Sequence, residues 1–126
     1  MDYPENIEEI KKFAEDIGID VEYLLGEKWE VNLVLPNSVK SLPANIEFNV
    51  GGWLWIPSAE SLSANIKFNV GGYLSLSSVK SLQDNTVFNV GGWLDLISVQ
   101  SLPANTKFNV DGNIYLPMKH KVKVIW

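Results

Sequence analysis

The sequence contains no cysteine and no arginine, and it has a single histidine, His120. Without cysteine the chain has no disulfide, no thiolate metal ligand and no cysteine nucleophile, which favours a reducing compartment. Arginine is the usual bidentate reader of phosphate and guanine, so its absence argues against direct sequence-specific binding of nucleic acid. His120 lies in a lysine-rich tail, without the paired serine and carboxylate that a catalytic relay needs.

Long apolar runs are also missing. The acidic N-terminus lacks the apolar core of a signal peptide, and no uninterrupted apolar stretch approaches the length that spans a membrane. We therefore expect a soluble, cytoplasmic protein that does not contact membranes. No carboxylate recurs at a fixed repeat position, which argues against calcium-binding repeats and a glycosidase pair. The sequence thus predicts no enzymatic activity, no cofactor and no metal site.

Charge is distributed unevenly along the chain. Residues 1–37 carry ten acids and three lysines, a net charge of −7, whereas residues 38–117 carry five acids and four lysines, a net −1. The last segment, residues 118–126, carries three lysines and no acid, a net +3. An acidic head, a nearly neutral body and a basic tail follow from this pattern. Opposed ends make salt-sensitive association between copies conceivable, and we expect a monomer or a weak dimer.

What the chain does contain is a repeat. Four consecutive blocks of twenty residues occupy 38–57, 58–77, 78–97 and 98–117, and they share serine, leucine, asparagine, phenylalanine, valine and glycine at fixed positions. A fixed period of this length is the signature of a solenoid, in which each coil buries its apolar side against neighbouring coils. The repeat therefore predicts one elongated domain with its equivalent residues stacked in columns.

The shared positions predict which columns form the core. Three kinds of apolar position recur in every block, and we expect their side chains to point inwards; they include Leu42, Phe48, Val50, Leu54 and Ile56 in the first block. Asparagines at the positions of Asn45 and Asn49 are predicted to bond to backbone groups or to the equivalent asparagine one coil away. Gly51 and Gly52 predict a corner that needs positive φ or close approach between coils.

The two ends differ from the repeats. Residues 4–17 predict an amphipathic helix ended by Gly18, and a second short helix follows from Asp20 to Leu25. Alternation from Trp29 to Leu35 predicts a half-buried strand that begins a degenerate first coil. The predicted organisation is a helical N-terminal cap at 1–28, a solenoid at 29–117 and a closing strand at 118–126, where lysines alternate with apolar residues and deter further pairing.

Segments such as SLPANIEFNVGGWLWI at 41–56 resemble the short leucine-rich-type repeats of bacterial and phage proteins. Those repeats combine a leucine-proline-x-asparagine turn, a valine-glycine-glycine corner and a leucine-x-leucine strand. Here the segment after the strand is shorter, and a Phe-Asn pair is inserted before the valine. Twenty residues without a helix-forming run predict a mainly β fold: a short parallel β-solenoid of four to five coils with an N-terminal helical cap.

Outward positions on the leucine-x-leucine strand predict the candidate contact surface. In-register stacking would place Trp53, Tyr73 and Trp93 in an exposed ladder, with Trp55, Asp95 and Tyr115 beside it. Contiguous exposed aromatics are typical of interfaces, although stacking alone would also explain a ladder. A second candidate surface is the acidic face of the first helix, and its acids are Glu8, Glu9, Glu15 and Asp16.

These features favour a non-catalytic protein-binding module with a protein partner. The resemblance to phage repeats, with the acidic head as a partial nucleic-acid mimic, implies a small inhibitor that binds and blocks a host macromolecule, such as a nucleic-acid-binding defence nuclease. One alternative is a carbohydrate-binding module that stacks sugars on the aromatic strip. Another is a structural or tail element, which the short array and the expected caps disfavour.

Overall fold

The structure is a computed structural model that describes residues 3–117. It is a parallel β-solenoid of five coils behind one N-terminal helix, as the sequence predicts. The elements are, in chain order, α1 (Ile7–Ile17), a 3-10 helix (Val21–Leu24), β1 (Leu25–Glu30), β2 (Leu33–Val34), β3 (Ser41–Leu42), β4 (Glu47–Val50), β5 (Leu54–Trp55), β6 (Ser61–Leu62), β7 (Lys67–Val70), β8 (Leu74–Ser75), β9 (Val87–Val90), β10 (Leu94–Asp95), β11 (Lys107–Val110) and β12 (Ile114–Tyr115).

Three parallel sheets run along the stack of coils. The first sheet has the order β1-β4-β7-β9-β11, and the second has the order β2-β5-β8-β10-β12. The third is short, with β3 beside β6 and single bridges that continue it from Ser61 to Ser81 and from Ser81 to Ser101. Within the four repeats every paired residue faces its equivalent twenty positions away, for example Phe68 opposite Phe88. Each column of the repeat alignment is therefore a continuous row in space.

The core consists of these rows. Phe48, Phe68 and Phe88 are fully buried, and successive phenylalanine rings stack with centroids 5.3–5.5 Å apart down to Phe108. The predicted leucine and valine rows are buried beside them. Two further rows that were not predicted from the sequence also line the core. One consists of Val39, Ala59, Val79 and Val99, and the other of Ile46, Ile66 and Thr86.

Asparagine side chains form two ladders along the stack, as predicted. In each ladder the Nδ2 of one asparagine donates to the Oδ1 of its equivalent in the preceding coil, at 2.9–3.3 Å. Three residues of the first ladder also adopt left-handed backbone, with φ of 65°, 62° and 65° at Asn45, Asn65 and Asn85. Asparagine tolerates this region better than other residues with a side chain. One residue type thus closes the turn and satisfies its polar groups.

Glycine at the corner serves close approach. Of the two reasons that the sequence offered, positive φ does not apply, because the described glycines with positive φ are Gly18 and Gly26. A Cβ on Gly71 would instead overlap the carbonyl oxygen of Gly51 in the preceding coil, and a Cβ on Gly72 would overlap that of Gly52. The coils therefore approach too closely here for any side chain.

The helical cap closes the N-terminal end of the core. Ile10 and Ala14 are buried against it, and Gly18 ends the helix in the left-handed conformation with φ 77°. The cap also extends the first asparagine ladder by one step, because Asn45 Nδ2 donates to Asn6 Oδ1 at 2.9 Å. Asn6 Nδ2 donates in turn to the backbone oxygen of Ala44 at 2.8 Å. The cap is thus joined to the solenoid by polar as well as apolar contacts.

The predicted single strand from Trp29 to Leu35 is wrong. The chain forms two strands, Leu25–Glu30 and Leu33–Val34, with a corner between them, and Trp29 is 64% exposed. Residues 25–28, which the sequence reading assigned to the cap, belong to the first sheet. At the corner, Asn32 Oδ1 accepts a hydrogen bond from the Trp53 N–H at 3.0 Å. The corner of this coil is one residue shorter than those of the later coils, because Glu30 pairs with Val50 whereas Leu33 pairs with Leu54. The predicted closing strand at 118–126 lies outside the described residues.

Candidate functional site

The second sheet presents the aromatic side chains. Its strands are two residues long in each coil, so one side chain points into the core and its neighbours point outwards. Two outward columns result, which we call the aromatic face. The first column contains Trp53, Tyr73 and Trp93, and the second contains Val34, Trp55, Ser75, Asp95 and Tyr115.

The rings of the first column stack on one another. Trp53 and Tyr73 have centroids 6.0 Å apart and an interplanar angle of 11°, and Tyr73 and Trp93 are also 6.0 Å apart at 30°. Tyr115 then meets Trp93 edge to face, at 6.3 Å and 85°. Stacking does not remove these rings from solvent, because Trp55, Tyr73, Trp93 and Tyr115 are 42–55% exposed, whereas Trp53 is half-buried.

A cleft of about 510 Å³ opens in the aromatic face. We call it the aromatic cleft; it is lined by Tyr73, Leu74, Ser75, Trp93, Asp95, Ile97 and Tyr115. Its position follows from the register, since the small Ser75 and Asp95 lie between Trp55 and Tyr115 in the second column. Two short side chains between two bulky ones leave a depression about two coil spacings long, or ~10 Å.

Asp95 is the charged residue of the aromatic cleft in the part of the chain that the structure describes. Its Oδ1 accepts a hydrogen bond from the backbone N–H of Ile97 at 3.1 Å, which fixes the carboxylate beside the rings. Ile97 is 51% exposed and was not predicted as part of the site. The sequence does contain a signal for it, because Ile97 is a large aliphatic residue at a repeat position that otherwise holds Pro57, Ser77 and Pro117.

The four candidate acids of the head do not join the aromatic cleft. Glu8, Glu9, Glu15 and Asp16 are all exposed on α1. Glu9 and Asp16 border a separate groove with Ser41 and Pro43 of the third-sheet side. The sequence therefore predicted two candidate surfaces, and the fold keeps them apart. The four acids lie on α1, at the N-terminal end, whereas the aromatic cleft lies on the second sheet.

A second groove, of about 540 Å³, follows the outer asparagine ladder of the first sheet. Asn49, Asn69 and Asn89 line it, with Lys28 and Trp29 at the end nearest the cap. Lys28 Nζ donates to Asp20 Oδ2 at 2.6 Å, and this hydrogen bond is the main cause that raises the pKa of Lys28 above its ordinary value. The amides of this groove are engaged with one another along the stack, so we assign its regularity to the fold.

Within residues 3–117 no group of three or more histidine, aspartate or glutamate side chains is arranged to hold a metal ion. No helix in the same residues is long and apolar enough to cross a bilayer. Comparison with models of known protein families, with curated proteins and with solved structures found no match. The candidate site therefore has to be interpreted from its own geometry.

Proposed function

We propose that the protein is a non-catalytic protein-binding module whose contact surface is the aromatic face. The observation that carries this proposal is a contiguous group of tyrosine and tryptophan rings, stacked with one another and still about half exposed. Tryptophan and tyrosine are the residues most enriched at the centres of protein interfaces. At ~200 Å² per ring, the four most exposed rings present roughly 400 Å² of accessible surface. This is half of what one partner contributes to a standard interface, so a polar rim would complete the contact.

Rigidity supports the same proposal. Trp53, Tyr73 and Trp93 each lie directly before a strand of the second sheet. The residues that follow them, Leu54, Leu74 and Leu94, are fully buried and paired with one another in register. A surface held in this way loses little conformational entropy on binding, which favours affinity for a given area. Solenoids are commonly used as such extended, preorganised surfaces.

Variation between the repeats supports the aromatic face as the location of the contact surface. The core positions and the glycine corner are nearly invariant among the four blocks, whereas the positions of Trp55 and Pro57 hold four and three different residues. The positions of Lys40, Pro43 and Glu47 also hold three different residues each, so variation is not confined to one face. The position of Trp55 is the one repeat position at which all four blocks differ, and it lies on the aromatic face.

The narrower form of the proposal is an inhibitor that blocks a host macromolecule, for example a defence nuclease. It rests on the resemblance to phage repeats and on the acidic head of residues 1–37, with a net charge of −7. An acidic body can occupy a positively charged nucleic-acid groove. Carbohydrate binding remains the alternative from another class, because aromatic rings also stack on sugars; the changing residue at position 55 and its equivalents gives no repeated polar partner for a sugar.

Replacing Trp93 with serine tests the proposal. We expect the variant to lose about thirty-fold in affinity for the captured partner, since a central tryptophan contributes about 2 kcal/mol or more to an interface. The measurement is affinity capture from a lysate of the encoding organism, with quantitative mass spectrometry of proteins retained by the wild type and by the variant. Trp29→Ser is the matched control, because Trp29 is at least as exposed, at 64% against 55% for Trp93, but lies on the first sheet.

Circular dichroism should show the same β signal and a cooperative melt for all three proteins. Retention of the same proteins by Trp93→Ser, or their loss in Trp29→Ser alone, would contradict the aromatic face as the contact. Micromolar binding of a glycan that Trp93→Ser abolishes would assign the face to carbohydrate instead.

A further inference from the structure

The aromatic cleft combines two features that separately have no clear ligand. One is a set of aromatic faces and edges, from Tyr73, Trp93 and Tyr115. The other is a carboxylate, Asp95, held beside them by the Ile97 N–H. Aromatic rings attract cations through their quadrupole, and a carboxylate attracts them through its charge. Both attractions act on the same kind of group.

We propose that the aromatic cleft receives a cationic side chain, a lysine or an arginine, from a basic segment of the partner protein. This inference rests on the proposed function and names the chemistry of the partner. The cation lies against the rings and donates to Asp95, while its aliphatic stem covers Ile97, which is 51% exposed. An arginine can also stack its planar guanidinium on a ring, which a lysine cannot.

Charge favours a cationic side chain over an apolar or an anionic group as the occupant of the aromatic cleft. An apolar side chain in the aromatic cleft would bury the Asp95 carboxylate without a charged partner, which costs free energy that the gain in apolar contact has to overcome. A carboxylate or phosphate would meet repulsion from Asp95 at close range. The acidic head adds a longer-range field of the same sign, so a basic partner is also attracted during encounter.

The repeat alignment shows how the cleft arises. At the position of Asp95 the other blocks carry Trp55, Ser75 and Tyr115, so the carboxylate occurs once, with a serine on one side and a tyrosine on the other. A row built for stacking alone would keep an aromatic residue at each step, as the phenylalanine row does. The interruption by serine and aspartate is what creates both the space and the charge.

Short Gly/Ser peptides that carry one central arginine, lysine, norleucine or glutamate provide the test. Each is titrated into the full chain at ~0.15 M salt while the indole Nε1–H signal of Trp93 is followed by NMR. We expect the arginine and lysine peptides to shift this signal in a saturable way at millimolar concentration. The norleucine and glutamate peptides should leave it unchanged over the same range.

Asp95→Asn should weaken the arginine peptide by about ten-fold. Asparagine keeps the Oδ1 that accepts from Ile97, so the local fold is preserved and only the charge is lost. Asp84→Asn is the matched control, since it removes the same charge from an exposed residue outside the aromatic cleft, and it should change the affinity less than two-fold.

The inference would be overturned by equal binding of the norleucine and arginine peptides, by equal effects of Asp95→Asn and Asp84→Asn, or by no shift with any peptide up to about 10 mM. A shift of the Trp93 signal that depends on the concentration of the protein alone would assign the cleft to a second copy of the chain, which also overturns it. The two proposals fail separately. Selective peptide binding with unchanged capture by Trp93→Ser removes the proposed function only, whereas lost capture with unselective peptide binding removes the cationic ligand only.

Discussion

Replacing Phe68 with alanine is expected to lower the free energy of unfolding by about 4 kcal/mol. The side chain is fully buried, and its ring stacks between Phe48 at 5.5 Å and Phe88 at 5.3 Å. Removing it leaves a cavity with a phenylalanine on each side, and the paired strands that hold those neighbours prevent collapse into the space. A domain of this size has about 5–15 kcal/mol of stability in total, so the loss is a large part of it.

The same substitution at Phe108 is the matched control. Phe108 stacks on one described ring, Phe88, and keeps slight exposure at 7%. We therefore expect Phe108→Ala to cost about half as much as Phe68→Ala. Chemical denaturation followed by tryptophan fluorescence measures both. Equal losses at the two positions would contradict a core whose energy comes from contact between neighbouring coils.

Replacing Gly71 with alanine is the second substitution with a large expected effect. Its Cβ would overlap the carbonyl oxygen of Gly51, which is backbone and cannot rotate away as a side chain could. Two hydrogen bonds hold that corner to the preceding coil, because the Gly71 N–H donates to Val50 O at 2.8 Å and the Gly72 N–H donates to Gly52 O at 2.6 Å. We expect a loss of about 3 kcal/mol, through separation of two coils along the corner.

The chain contains its own control for this prediction, Asp111, which occupies the equivalent place in the last coil. There the hydrogen bond from Gly112 N–H to Gly92 O is 3.0 Å, longer than the 2.6 Å at the two preceding corners. The terminal corner has shifted to accommodate a side chain, so Asp111→Ala should change stability by less than about 0.5 kcal/mol. Thermal melts of both variants measure the contrast. A Gly71→Ala melt that matches the wild type would show that the corner is loosely packed.

Repetition explains why so much of the fold could be predicted from the sequence. A residue type that recurs every twenty positions, such as the phenylalanine row or the leucine-x-leucine strand, identifies a column without any knowledge of the third dimension. Columns whose residue type changes were missed for the same reason. Val39, Ala59 and Val79 are equally buried. A mixture of small apolar residues beside an exposed column does not reveal, however, whether their side chains point into the core or outwards.

The first coil is the part of the solenoid that the sequence pattern predicted wrongly. Alternation from Trp29 to Leu35 has the period of a strand, yet the chain turns at Val31 and Asn32. Later coils need glycine at this corner because a preceding coil approaches it, and the first coil has no preceding coil. The corner can therefore carry side chains, and the usual glycine signal is absent from the sequence. The acceptor role of Asn32 depends on a contact twenty-one residues away, which no local pattern reveals.

The candidate site was predicted in part. Trp53, Tyr73 and Trp93 form the stacked column expected from the repeat, because register alone determines their neighbours. The aromatic cleft was not foreseen, although Asp95 was named as a candidate. Its existence depends on the relative size of side chains in adjacent coils and on Ile97 at the end of the strand. Repeat analysis finds what the coils share, whereas this cleft is formed by what they do not share.

The absence of cysteine allows the most direct test of in-register stacking. Lys67 and Val87 are paired in adjacent coils and lie outside the fully buried core, whereas Lys67 and Lys107 are two coils apart. Paired Cα atoms in neighbouring parallel strands are ~5 Å apart, within the range of a disulfide, and those two coils apart are ~10 Å away and outside it. Mass spectrometry after mild oxidation is therefore expected to find an intramolecular disulfide in Lys67→Cys/Val87→Cys and none in Lys67→Cys/Lys107→Cys. Free thiols in the first variant, or equal cross-linking in both, would contradict the stacked coils on which the aromatic face depends.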